Sequence, residues 1–426
     1  MLDIGSDVLT AMRHDARAID VSIVMPCLDE VDSLPHCIAN ALDALDRIEA
    51  AYGLAGEVVI ADNGSTDGSQ TLAERLGARV VAVASRGYGA AIIGGCQDAF
   101  GQYLLIGDAD GSYDFTDGVA MIGRLAEGAD LCMGSRFAGG IAPGAMPWKN
   151  RHIGNPALTG ILNLFFKTGI DDAHCGLRAI RKDALLDLGL SSPGMEFASE
   201  MVIKASLRRL HIAEAPATLS VDLRNRAPHL RPWRDGWRHL RYLFMLSPTA
   251  VFLVPGAIAA TISLVIFAMA ILHAFAPHAL SPWGIPLGMF GNYWQIAASA
   301  IGAIGHQALI FGLAAHLHGI REGYRPAGQR SQRLARHVSL ETMLVSGFVA
   351  ALAGTVMLIA TVWSWSLRDF GPTYSVLPAV GGTLLIILGA QNAFGGFLLS
   401  IIGGNEARFL GGGKAVGGAA VMMARS

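Results

Sequence analysis

Charge is missing from long parts of this 426-residue sequence. From Tyr242 to Ile320, 79 residues pass without one Asp, Glu, Lys or Arg, and Thr342–Leu367 and Phe370–Asn405 are two further such windows. Soluble domains keep charge on their outer faces, so these windows argue against an all-soluble chain. Paired cysteines are also missing. The five present (Cys27, Cys37, Cys96, Cys132, Cys175) are odd in number, lie in the front half and show no CxxC spacing. That pattern excludes a zinc knuckle and predicts free thiols. No GxGxxG follows the first strand-like run, and no GxxxxGK[ST] occurs, which disfavours a classical NAD fold and a P-loop. No hydrophobic leader opens the chain: MLDIGSDVLTAMRHDARAID is polar, so the front domain is expected to stay in the cytoplasm. The net charge of −2 gives no reason to expect a nucleic-acid partner.

A spanning helix needs about 20 mostly apolar residues. Four segments qualify, 249–272, 294–317, 343–366 and 377–402. Backbone amides cannot go unpaired in hydrocarbon, so helices are the economical form for them. Arginines set the orientation. Arg224, Arg226, Arg231, Arg234, Arg238 and Arg241 precede the first span, and Arg321, Arg325, Arg330, Arg333 and Arg336 fill the loop 318–341. The loop 273–293 has no Lys or Arg, and 367–376 has only Arg368. The alternation predicts a multi-pass protein of the inner (plasma) membrane with both termini cytoplasmic. The stretch RPWRDGWRHLRYLF before the first span reads as an amphipathic helix. Arg231, Arg234, Arg238 and Arg241 form one stripe, and Trp233, Trp237, Leu240 and Phe244 a neighbouring one. Arginine beside tryptophan suits a helix lying in the headgroup layer.

The front half alternates strand-like and helix-like runs. VSIVMPC, EVVIAD, ARVVAVAS and YLLI are short β-branched or aliphatic runs, with helical patterns at 34–51 and 69–76 and after the glycine-rich turn RGYGAA. Such alternation predicts a mostly parallel, doubly wound sheet. Ligands bind such sheets beyond the carboxyl ends of the strands. Polar motifs end four strands in sequence: Pro26–Glu30, Asp62–Asp67, Arg86–Gly89 and Asp108–Asp110. They are expected to converge on one edge. Asp108-x-Asp110 at a strand end suits a divalent cation that bridges a diphosphate, because hard oxygen ligands hold Mg²⁺ or Mn²⁺ while waters and substrate oxygens complete the shell.

The set PCLDE, DNGSTD, RGYGAA, DADG and GSR, in this order, resembles family 2 glycosyltransferases with the GT-A fold. Within them it is most similar to the polyprenyl-phosphate hexose synthases, the dolichol-phosphate mannose/glucose synthase-like group. The resemblance covers about residues 20–225, and five short motifs in register are highly specific. It implies an α/β GT-A catalytic domain, Rossmann-like with a mostly parallel sheet, followed by an all-α membrane domain of four transmembrane helices. The expected divisions are an N-terminal extension 1–20, the catalytic domain 21–225, an amphipathic interfacial helix 226–246, the membrane domain 247–405 and a cytoplasmic tail 406–426.

The resemblance also implies roles for residues. Pro26, Leu28, Glu30, Asp62, Gly89 and Asp108 would bind the nucleotide sugar, UDP-glucose or GDP-mannose. Asp108 and Asp110 would hold Mg²⁺ or Mn²⁺. Arg136 of GSR, with Arg151 and Asn155 of KNRHIGN, would bind the lipid phosphate. Asp110, Arg136, Arg151 and Asp172 would form the catalytic set, with Arg178 near the sugar and Glu196 and Glu200 at an acidic helix start. Two departures stand out. The DxDxQ pattern of mannose-type members reads DADGS, with Ser112 in the last place, and the Arg-x-x-Gly-x-Ser-Lys segment before the membrane tail is replaced by RNRAPHLRPWR.

The implied reaction is inverting transfer of a hexose from a nucleotide diphosphate to polyprenyl phosphate in the bilayer, giving a lipid-linked sugar for envelope glycan or for glycoprotein or glycolipid modification. Oligomeric state, including a homo-oligomer, is left open. A different lipid acceptor, of diacylglycerol or ceramide type, is the alternative, and Asp172, Glu196 or Glu200 would then serve as base. A processive polysaccharide synthase is opposed by the lack of a QxxRW string. A lipid transporter is opposed by spans that carry no Asp, Glu, Lys or Arg to mark a polar path.

Overall fold

The computed structural model describes residues 18–224, 232–276, 280–282, 284–322, 338–372 and 375–403. The chain divides between Ala250 and Val251 into two compact units. Most of the N-terminal extension, the tail 406–426 and Arg226, Arg231, Arg325, Arg330, Arg333 and Arg336 lie outside the described residues.

The front unit is built on a seven-stranded sheet. Its strands are β1 (Val21–Cys27), β2 (Gly56–Asp62), β3 (Arg79–Ala82), β4 (Tyr103–Ile106), β5 (Leu131–Ser135), β6 (Arg178–Arg181) and β7 (Ile212–Pro216), in the order β3-β2-β1-β4-β6-β5-β7. The first four strands pair in parallel, as their sequence pattern predicts. β6 runs antiparallel between β4 and β5, and β5 pairs in parallel with β7. The reversal of β6 matters for the site: its first residue, Arg178, stands opposite Ile106 and Met133, near the carboxyl ends of β4 and β5. The motif DDAHCGL precedes a strand, yet it reaches the same edge as motifs that follow strands.

Side-chain alternation along β1 explains the two cores. Val21, Ile23 and Met25 face one layer, and Val24 faces the other. Helix α1 (Leu34–Tyr52) covers the first layer with a stripe of Leu34, Cys37, Ile38, Ala41, Ala44, Leu45 and Ile48 at helical spacing. It stops at Gly53, whose φ of +70° suits a residue without Cβ. After α2 (Ser69–Arg75), helix α3 (Tyr88–Asp98) packs Ala91, Ile92 and Cys96 into the second layer. Helices α4 (Gly118–Ala126), α5 (Arg136–Gly139), α6 (Asn155–Phe166), α7 (Lys182–Leu188) and α8 (Phe197–Leu207) complete the described helices of this sheet unit up to β7. All five cysteines are buried free thiols, and burial pushes Cys175 up to about 12. They are inert packing groups.

Helix α9 (Pro232–Leu246) belongs to the front unit. It buries His239, Leu243 and Leu246, the two leucines in the same layer as Leu162 and Phe166 of α6, and leaves Trp237, Phe244 and Met245 exposed.

The second unit holds four helices long and apolar enough to cross a membrane: Thr249–Phe275, Asn292–Arg321, Leu340–Ser366 and Leu377–Gly403. Each falls on a segment expected to span. Labelled α10 (Val254–Phe275, after a π-helical turn), α11 (Asn292–Arg321), α12 (Leu340–Ser366) and α13 (Leu377–Gly403), they pack through glycine seams. A Cβ on Gly354 would stand 2.5 Å from the Gly382 carbonyl oxygen, and one on Gly347 would stand 2.6 Å from that of Gly389. In lipid, close backbone approach takes the place of the hydrophobic drive. Polar groups within the spans find each other: His306 Nδ1 lies 2.9 Å from Gln391 Oε1.

Candidate active site

Three loops at the carboxyl edge are stitched together by backbone amides. From PCLDE and the residue after it, the Asp29, Glu30 and Val31 amides donate to Ser65 Oγ (2.9 Å), Ser69 Oγ (3.1 Å) and Asp67 Oδ2 (3.0 Å) of DNGSTDGS. Asp29 returns the contact by accepting the Thr66 amide at 2.7 Å. It does so at φ +55°, a left-handed conformation that a non-glycine residue adopts only when its surroundings demand it. Ser33 Oγ donates to the Ala109 carbonyl at 2.7 Å and so ties the first loop to DADG. Asn63 bridges onward: its Nδ2 donates to the Val83 and Ser85 carbonyls, and its Oδ1 accepts the Gly87 amide at 2.7 Å. The four polar strand ends thus form one connected edge.

Asp62 ends β2 and is 2 % exposed. Its carboxylate accepts the Gly64 and Ser65 amides and Gln70 Nε2. Burial works against its ionisation, yet the Ser65 and Gln70 bonds outweigh it and hold the group below the usual range. Pro26 and Leu28 are half-buried at the end of β1. Gly89 is buried beneath the segment 192–197: a Cβ there would stand 2.3 Å from the Ser192 carbonyl oxygen. Its small size is a packing requirement.

Asp108 and Asp110 lie just past β4, as their place in the sequence predicts. Tyr88 OH donates to Asp108 Oδ1 at 2.9 Å. Asp108's other oxygen abuts Gly176, where a Cβ would come within 2.6 Å. Burial and the neighbouring Asp110 raise the Asp108 carboxyl to about 6, against the pull of Tyr88, Arg224 and Arg178. Asp110 Oδ1 accepts both the amide and the hydroxyl of Ser112, at 3.0 and 2.6 Å. The residue that departs from the DxDxQ pattern therefore holds the second aspartate in place. Two carboxylates two residues apart just past one strand form a donor set for a hard divalent cation. Among the described residues no group of three or more His, Cys, Asp or Glu could hold a metal ion alone, so such a cation would take further ligands from substrate and water.

Arg136 and Asp172 form the other half of the edge. Arg136 Nε and Nη2 grip Asp172 Oδ2 and Oδ1 at 2.6 and 2.7 Å, and the Arg136 amide also donates to Oδ2. Arg136 is 7 % and Asp172 0 % exposed, so this is a buried bidentate pair with Nη1 left outside it. Arg178, 2 % exposed, bonds the Cys175 and Ala198 carbonyls. Arg151 is exposed on the π-helical turn Asn150–Gly154, and Asn155 Nδ2 lies 3.5 Å from Met146 Sδ. Glu200 is fully buried and caps the Ser191 and Ser192 amides while pairing with Lys204 at 2.7 Å, a structural role.

Two site residues escape a motif-based search. Tyr88 sits inside RGYGAA, where only the glycines signal. Arg224 reads as one more basic residue before the membrane, yet its guanidinium pairs with Glu30 Oε1 at 2.7 Å and Asp110 Oδ2 at 3.1 Å. Its segment lies across DADG: the Ser220 and Leu223 amides donate to the Ser112 and Asp110 carbonyls at 2.8 Å each. The one signal available is that Arg224 opens RNRAPHLRPWR, the stretch that replaces the Arg-x-x-Gly-x-Ser-Lys segment.

The chain is similar to known proteins in both of its halves. Residues 22–189 match the model for "Glycosyl transferase family 2", and residues 313–403 match that for "Glycosyltransferase family 2 C-terminal transmembrane region". The chain is 32 % identical over 405 residues to the low-salt glycan biosynthesis hexosyltransferase Agl6 of Haloferax volcanii, covering 94 % of this chain and 92 % of that one. A dolichyl-phosphate hexose transferase of the same organism is 27 % identical and covers 46 % of this chain and 81 % of its own length. The polyprenol monophosphomannose synthase of Mycolicibacterium smegmatis is 27 % identical, covering 51 % and 82 %.

Proposed function

Because the chain belongs to glycosyltransferase family 2, by both its catalytic domain and its membrane region, we propose that it transfers a hexose from a nucleotide diphosphate to the phosphate of a membrane polyprenol. One observation carries the proposal. A carboxylate pair, Asp108 and Asp110, and a buried arginine, Arg136, held by Asp172, stand on the same sheet edge. The first would take the cation of a nucleotide diphosphate, and the second would take an anionic acceptor. Two of the relatives are named for polyprenyl-type phosphate acceptors, which supports the lipid as the source of that anion.

In one in-line displacement an acceptor phosphate oxygen bonds to the anomeric carbon, and the bond from that carbon to the diphosphate oxygen breaks, leaving its electron pair on the nucleotide. Asp108 and Asp110 would hold Mg²⁺ or Mn²⁺, which when bound would supply charge stabilisation for the departing diphosphate. The acceptor phosphate is already anionic near pH 7, so no side chain has to remove a proton. The task left to the protein is to bring two anions together. Arginine answers it with a planar, permanently charged fork. Arg136 is fixed by Asp172, and Arg151, exposed on its turn, is free to reach a headgroup. Pro26, Leu28 and Asp62 line the nucleoside side. The four apolar helices would anchor the chain in a bilayer, with both termini on the cytoplasmic side.

Membranes holding the full chain, given labelled UDP-glucose or GDP-mannose with undecaprenyl phosphate and Mg²⁺ or Mn²⁺, test this. A mild-acid-labile glycolipid should form with one donor and vanish in Asp110→Ala. Product on a neutral lipid alcohol, with none on polyprenyl phosphate, would overturn the proposal.

A further inference from the structure

Helix α9 makes a polar contact that leads toward the active site. His239, 7 % exposed, directs Nδ1 to Ser199 Oγ of α8 at 2.8 Å. The same hydroxyl lies 3.4 Å from His174 Nε2, and the two imidazoles sit edge to face with centroids 5.0 Å apart. His174 belongs to the turn that carries Asp172, and its amide donates to Asp172 Oδ1 at 3.3 Å. Asp172 in turn receives the fork of Arg136. An unbroken chain of contacts therefore runs from the helix before the membrane spans to the arginine assigned to the acceptor phosphate.

Ser199 has one proton to give. It donates to one ring and accepts from the other, so it can serve both histidines only while each is held in one tautomer. His174 Nδ1 is buried with no hydrogen-bond partner, so on the polar side its ring is held at Nε2. Burial, then His239, Arg136 and Arg178, keep His174 well below the usual histidine range, and the ring stays neutral beside the arginine. Apolar contacts join α9 to the front unit as well: Leu243 and Leu246 lie in the shared layer, and Phe244 stands against Phe165 at 5.8 Å. Apolar contacts hold the helix but do not select a ring orientation; directional bonds do.

We infer that His239 is a positioning residue, which sets the pose of the Arg136–Asp172 pair through Ser199 and His174. The chain links the placement of the premembrane helix to the readiness of the acceptor subsite. The inference rests on the proposed polyprenyl-phosphate reaction only for the choice of acceptor.

The full chain in lipid nanodiscs tests it with Ser199→Ala, His239→Leu and His239→Asn. KM for undecaprenyl phosphate and for the donor, kcat, thermal midpoint and amide hydrogen exchange over 171–176 would be measured. Ser199→Ala and His239→Leu should raise the acceptor KM roughly tenfold, as misplacement of a binding group does, while the donor KM stays within about twofold. Exchange at the Asp172–Cys175 turn should accelerate. His239→Asn should restore both, because its side-chain amide can reach where Nδ1 stood. Unchanged acceptor KM and unchanged exchange would overturn the inference. So would an equal rise in both KM values with a lower thermal midpoint, which marks mere support of the fold. If the wild type makes no polyprenyl product but exchange at the turn still answers to His239, the acceptor assignment fails and the positioning chain stands.

Discussion

Arg224 Nη1 lies 3.1 Å from Asp110 Oδ2, so a protein cation rests on a carboxylate proposed to hold a metal. Its other arm grips Glu30, and only 18 % of its side chain is exposed. Arg224 and a divalent cation compete for the same negative charge. Arg224→Gln is therefore expected to tighten Mn²⁺ binding in the absence of nucleotide by about twofold to fivefold, the worth of a single partly screened ion pair. Manganese titration followed by electron paramagnetic resonance reads this directly. Weaker Mn²⁺ binding would mean that Arg224 builds the site rather than balances it.

Asp172 is fully buried beneath Arg136, and the pair has two separable consequences. Asp172→Ala strands a buried guanidinium and should cost about 3–5 kcal/mol, seen as a lower thermal midpoint in detergent. The double change Arg136→Met with Asp172→Leu removes both charges and should recover most of that stability. It should not recover transfer. Recovered activity in the double variant would remove Arg136 from the acceptor subsite.

Asp108 sets a pH dependence. Burial, with Asp110 beside it, raises its carboxyl to about 6, above the unfolded value. The folded site therefore holds a proton between about pH 4 and 6 that the unfolded chain releases, and the stability this group contributes falls as pH rises through that window. Metal affinity moves the other way, because the proton and the cation compete for one oxygen pair. Mn²⁺ should bind about tenfold more weakly at pH 5 than at pH 7. A flat profile over that range would show that Asp108 is not a metal ligand.

Gly354 tests the membrane seam. A Cβ there would lie 2.5 Å from the Gly382 carbonyl oxygen, so Gly354→Leu must push α12 from α13. The expected loss is about 1–3 kcal/mol, read as a lower midpoint in detergent. Val356→Leu on the exposed face of the same helix should leave the midpoint unchanged.

The spans were legible because about 20 uncharged residues in a row admit few other structures. The first four strands and the aspartates ending β4 were legible because strand–turn–helix alternation fixes which end of each strand carries the polar loop. β6 was not: RAIR is four residues long, and its reversal depends on partners β4 and β5, which local pattern does not name. Arg136 and Asp172 were both singled out, but their mutual grip spans 36 residues of sequence. Tyr88 and Arg224 were missed for the same reason. Tyr88 reaches Asp108 over 20 residues and Arg224 reaches Glu30 over 194, and spacing records neither.

The linkage in the product tests the central claim most directly. Lipid extracted after incubation of the full chain in vesicles with donor and undecaprenyl phosphate would be analysed by tandem mass spectrometry and phosphorus NMR. The account predicts a single hexose joined through a phosphodiester to the polyprenol, with the anomeric configuration inverted relative to the donor. A hexose joined directly to a lipid hydroxyl, or free hexose with no lipid-linked product, would contradict it.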